Sequence, residues 1–117
     1  MSALPADDGP EVTAGPGRRA DAVEPRFDEL IHPSTRLQLV AALAAADWAE
    51  FAFLRDRFGL SDSALSKQLS ALEEAGYVTT DRVLDGGRRR VRARLTAQGR
   101  RAFTAHMAAL RELVAPL

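Results

Sequence analysis

The feature that most constrains this 117-residue chain is a change in the spacing of its apolar residues. From Tyr77 the period is two: Val91, Ala93 and Leu95 alternate with Arg90, Arg92 and Arg94, whereas on both sides of this stretch apolar residues recur every three or four positions. A period of two turns one sheet face inward, and a period near 3.6 does the same for one stripe of a helix. A two-stranded ribbon, Tyr77 to Leu84 paired with the arginine strand, must therefore sit between helices. Asp85-Gly86-Gly87 is its turn, because glycine takes the positive φ angles of a tight hairpin without steric cost.

The helical stretches can be placed from their periods and punctuation. Phe27, Leu30 and Ile31 share one face and predict a short leading helix that pauses at His32-Pro33. Pro33 with Ser34 or Thr35 opens a second helix, where Leu37, Val40, Leu43 and Ala44 repeat until Asp47. Trp48 to Glu50 is a connector able to pair as a strand. Phe51, Leu54 and Phe58 form the apolar face of the next helix, which Gly59 stops. Ser61 or Asp62 then caps a helix carrying Leu65, Leu69 and Leu72, which closes at Gly76. Two short helices joined by a tight turn make a helix-turn-helix. Thr96 caps a last helix of about 18 residues, on the order of 27 Å long, with Phe103, Met107, Leu110 and Val114 in one stripe. The expected class is mainly α with a small β-hairpin, that is, α+β.

Residues 1–26 hold four prolines and three glycines without an apolar period, so they are expected to be a disordered tail ahead of one domain over residues 27–117. No cysteine is present, which excludes disulfides, thiolate metal sites and thiol sensing. The N-terminus has no basic start followed by an apolar run, and no stretch approaches the roughly 18 apolar residues of a membrane span. A cytoplasmic protein is expected. The net charge is zero, yet eight arginines and one acid, Asp85, lie between Arg82 and Arg101.

The order of elements resembles the winged-helix regulators of the MarR/ArsR group, most closely the compact MarR-like winged-helix DNA-binding domains. The resemblance rests on IHPSTRLQLVAAL, FGLSDSALSKQLSALEEAGYV and the glycine-arginine hairpin followed by RLTAQGRRAF, and covers about residues 27–114. It implies a winged helix-turn-helix with N- and C-terminal dimerisation helices. It also implies a homodimeric, sequence-specific regulator, a repressor, on a pseudo-palindromic operator, with a small-molecule effector held between the helix-turn-helix and the dimer helices. Trp48, Phe51 and Phe53 are candidates to line that pocket, or are core residues.

A helix reads bases in the major groove only if its outward face is short and polar. Around the leucine stripe that face is Ser63, Ala64, Ser66, Lys67 and Ser70, with Gln68 a secondary candidate; the bland reading is a solvated helix surface. Arg89 is the first choice for minor-groove insertion, since a narrow groove attracts arginine. Arg88 and Arg90 suit phosphates. Arg92 and Arg94 are divided between DNA contact and ion pairs with Asp81, Glu73 or Glu74. The predicted twofold interface is Phe27, Leu30, Ile31, Phe103, Met107, Leu110 and Val114, and a dimer would place two reading helices roughly 34 Å apart, one duplex turn.

His32 and His106 are the only imidazoles and are expected at an interface or surface, with a pH-sensitive meeting across the dimer as a lesser reading. No metal, no cofactor and no catalytic constellation are expected, so an enzyme is the remote reading. The nearer alternative is a winged-helix protein-interaction module whose arginines dock an acidic partner.

Overall fold

The computed structural model describes residues 23–116; the expected tail lies outside the described residues as far as residue 22. The elements are α1 (Ser34–Ala44), β1 (Ala49–Glu50), α2 (Phe51–Phe58), α3 (Asp62–Glu74), β2 (Val78–Asp85), β3 (Arg88–Leu95) and α4 (Ala97–Val114). The three strands form an antiparallel sheet in the order β1-β3-β2. Asp85 pairs with Arg88, which leaves Gly86 and Gly87 alone in the turn at φ 61° and 82°. Two consecutive positive φ angles give the turn the twist of the flanking strands, and every later cross-strand partner is set by it.

The helices meet the sheet around one apolar core. Leu39, Val40 and Leu43 of α1, Leu54 of α2 and Leu65, Leu69 and Leu72 of α3 pack with Val78, Ala93 and Leu95 of the hairpin. Each terminus of α3 has a defined stop. Ser61 is the N-cap, its hydroxyl accepting the Ala64 N–H at 3.1 Å. Past the other end Gly76 turns the chain at φ 80°, and Glu73 accepts the Thr80 hydroxyl at 2.9 Å.

Helix α4 is locked to that corner. The Thr96 hydroxyl accepts the Gly99 N–H at 2.9 Å and donates to the Gly76 carbonyl at 2.6 Å. Gly99 is buried so closely that a Cβ there would collide with the Tyr77 carbonyl oxygen and lie 2.9 Å from Leu95 Cδ2, so only glycine fits. Arg100 donates to the Ala44 carbonyl at 2.9 Å and so closes the end of α1. Among the described residues no helix is long and apolar enough to cross a membrane.

The leading helix expected at Phe27–Ile31 is not formed. Residues 23–33 instead run as a strap along α4, with Arg26 N–H on the Ala105 carbonyl at 3.0 Å and one turn at residues 29–31. Asp28 explains the difference. Its Oδ1 accepts the N–H groups of Leu30 (2.9 Å) and Ile31 (3.3 Å), so the side chain caps a single turn and Pro33 prevents its extension. His106 also departs from its expected place, since it is completely buried, whereas His32 is exposed as expected; the two meet inside one protomer.

Candidate nucleic-acid interface

Leu65, Leu69 and Leu72 bind α3 to the core and thereby fix which residues face outward. Ser63, Ser66, Lys67 and Ser70 are exposed, while Ala64 and Gln68 are half-buried on the flanks of the leucine stripe. The outward stripe is therefore made of hydroxyls and one ammonium, groups able to approach base edges without a bulky neighbour.

Strand register decides where the arginines point. Thr80, Arg82 and Val91 line a groove of about 370 Å3 against Ser66 and Ser70 of α3, so this hairpin face looks toward the helix. Arg82 pairs with Val91 and Leu84 with Arg89. Alternation carries the face outward along the ribbon, putting Leu84 and Arg89 on the side of α3 but beyond the body of the protein. Both are exposed, Leu84 by 75%.

The opposite face holds Arg90, Arg92 and Arg94, and each is occupied. Arg90 bonds to Glu50 at 2.9 Å and lies 3.4 Å from Asp85. Arg92 stacks its guanidinium 3.8 Å from the centre of the Trp48 ring, and Arg94 lies 3.7 Å from Asp81. Arg90 and Arg92 thus stand apart from the other candidate contacts, whereas Arg88 and Arg89 sit at the exposed tip. Among the described residues, Lys67, Arg82, Arg88 and Arg89 have no carboxylate within ion-pair distance. Arg82 and Leu84 were not candidates on sequence grounds. Counting back from a two-residue Gly86-Gly87 turn would have found them, since that turn alone pairs Arg82 with Val91 and Leu84 with Arg89.

The opening of the helix-turn-helix is braced by Arg55 of α2, which bonds Asp62 at the start of α3 at 3.0 Å and Asp56 at 2.9 Å. Its guanidinium beside these acids, Asp56 above all, is held further into its charged form, and the Asp56 carboxyl is pushed below its ordinary range.

The candidate dimer residues divide. Phe27 is exposed and Val114 strongly so; Leu30, Phe103, Met107 and Leu110 are half-buried; Ile31 is fully buried in its own protomer. Leu113, absent from the candidates, is 71% exposed beside Val114. Of the three pocket candidates, Phe51 packs against the core, Trp48 lies under Arg92, and Phe53 is exposed.

Four likenesses bear on this arrangement. The model of the winged helix DNA-binding domain family matches residues 35–114. An uncharacterised protein of Methanocaldococcus jannaschii is 31% identical over 75 residues, spanning 64% of this chain and 82% of the relative. A solved transcriptional regulator homologue from Pyrococcus horikoshii superposes with a TM-score of 0.70 at 21% identity, over 74% of this chain and 86% of that one. A zinc-responsive MarR family member, ZitR of Lactococcus lactis, superposes at 0.54 with 24% identity, over 68% of this chain and 54% of the neighbour. The two structural likenesses establish a fold shared with a transcriptional regulator homologue and with a MarR family member, as the resemblance implied. The family match accounts for the helix-turn-helix, the hairpin and α4 together, and the family is one of DNA-binding domains rather than of enzymes. This chain belongs to the winged helix DNA-binding domain family.

Proposed function

We propose that the protein is a cytoplasmic, sequence-specific transcriptional repressor that binds a pseudo-palindromic operator as a homodimer. One observation carries the reading: the serine-lined stripe of α3 and the tip residues Leu84 and Arg89 share a side of the molecule, around a groove that leaves their polar groups uncovered. Helix α3 would enter the major groove, with Ser63, Ser66, Lys67 and Ser70 at base edges. Arg89 would reach the neighbouring minor groove, with Leu84 against its sugar wall and Arg82 and Arg88 on phosphates. Repression needs nothing beyond this grip, since an occupied promoter excludes polymerase. A small effector would take the hollow of about 590 Å3 beside the strap, lined by Phe27, Asp28, Tyr77 and Arg101.

Selection of bound duplexes from a random pool tests the reading. The expected product is two inverted half-sites centred about one duplex turn apart. A pool that shows no enrichment, together with co-purification of an acidic protein, would replace it with the protein-interaction module.

A further inference from the structure

The side chains of His32, His106 and Tyr77, joined through the backbone N–H and the carboxylate of Asp28, form a path from α4 to the foot of α3 that the DNA contacts do not use. His106 of α4 accepts the Asp28 backbone N–H on Nδ1 at 3.0 Å. Its neutral ring must then carry the proton on Nε2, which donates to Nδ1 of His32 at 3.3 Å. Asp28 accepts the Tyr77 hydroxyl on Oδ2 at 2.6 Å. Tyr77 follows Gly76 at the exit of α3, where its own N–H donates to the Leu72 carbonyl at 2.9 Å. Phe27 packs on both imidazoles, its ring centre 4.7 Å from that of His32 and 4.9 Å from that of His106.

This path has no place for another proton. A proton added to His32 at Nδ1 would face the Nε2 proton of His106. If His106 shifted its own proton to Nδ1 instead, that proton would face the Asp28 N–H. Either way one link opens. We propose that Asp28, His32, His106 and Tyr77 form a proton-sensitive strap that positions α3 against α4, so that DNA binding weakens in mild acid. The proposal rests on the DNA-binding function above.

The surroundings of His106 favour its neutral ring at neutral pH. Burial and the neighbouring His32 push the His106 imidazole below its ordinary value, against the opposing pull of Asp28. Tyr77 stays protonated as the donor, because its hydrogen bond to Asp28 and its burial push it up to about 12, against a smaller opposing effect of Arg26. Arg26 and Glu29 of the strap and Arg101 of α4 line the adjoining hollow with Tyr77.

The test measures affinity for the selected duplex at pH 8 and pH 5.5, at constant salt, for the full chain and for the variants His32→Gln and Tyr77→Phe. Melting at pH 8 checks that each variant folds. In the unsubstituted chain affinity should fall about tenfold, the factor that a one-unit difference in proton affinity between closed and open strap produces. Both variants should stay within about threefold across the same range. A merely structural loss would lower affinity equally at both pH values, so a Tyr77→Phe protein that retains the whole drop overturns the proposal. Protection factors of the Asp28 and Ile31 amides, read without DNA and referred to the intrinsic exchange rate at each pH, should fall in acid, and constant protection overturns the strap itself. Absence of duplex binding at every pH would refute the DNA-binding function as well.

Discussion

A buried imidazole makes stability depend on pH in a definite direction. His106 is fully buried and held neutral, with its proton affinity lowered mainly by burial and further by His32. In the unfolded chain it titrates at the ordinary 6.5. As pH falls through 6.5 the unfolded state takes up a proton that the folded state refuses, so unfolding becomes easier. Stability is fully present above 6.5 and is lost as pH descends below it. Urea titrations should show a loss of up to about 1 kcal/mol between pH 7 and pH 5.5, and His106→Gln should flatten that profile. A folded state equally stable at both pH values would contradict the assignment of a neutral ring. The histidines themselves are plain in the sequence, but their contact is not. Seventy-four positions separate them, and only the course of the strap along α4 brings them together.

At the scale of the element, the hairpin sorts its arginines by parity. On the outer face Arg90, Arg92 and Arg94 are matched by Glu50, the Trp48 ring and Asp81, whereas Arg88 at the tip of that face and Arg82 and Arg89 on the side of α3 are not. A cation seated on the duplex, against a phosphate or in a groove, contributes to affinity through released counterions, so its removal should lower the salt dependence of binding as well as the affinity. Arg88→Ala and Arg89→Ala are each expected to reduce the slope of log affinity against log salt by about one per protomer. Arg92→Ala should leave that slope intact and cost about 0.5–1 kcal/mol of stability from the lost Trp48 stack. Salt titrations of duplex binding, paired with thermal melts, separate the two classes. An unchanged slope for Arg89→Ala would remove the tip from the interface. Alternation between Arg90 and Leu95 made the two faces legible in advance. The acids that occupy one face were less visible, because Glu50 reaches the sheet through the pairing of β1 with β3, a contact across 40 residues.

For the whole molecule, the proposed homodimer needs a surface that one protomer leaves uncovered, and the end of α4 presents one. Leu113 and Val114 are 71% and 79% exposed, and Phe27 stands exposed on the strap that runs along the same helix. Exposed apolar residues such as the adjacent Leu113 and Val114 mark association surfaces. Sedimentation should find a dimer that the double substitution Leu113→Glu, Val114→Glu converts to a monomer, with duplex affinity lowered at least about tenfold as the second half-site grip is lost. A monomeric unsubstituted chain that still binds a symmetric site at full affinity would rule this arrangement out. Local chemistry determined the helices, their caps at Ser61 and Thr96, the Gly86-Gly87 turn and the leucines that face inward, because periodicity and cap geometry act over a few residues. Tertiary structure alone decided where the strap lies against α4, which arginines keep a free charge, and that two distant histidines meet. Each of these depends on partners remote in the chain, whose approach no local pattern encodes.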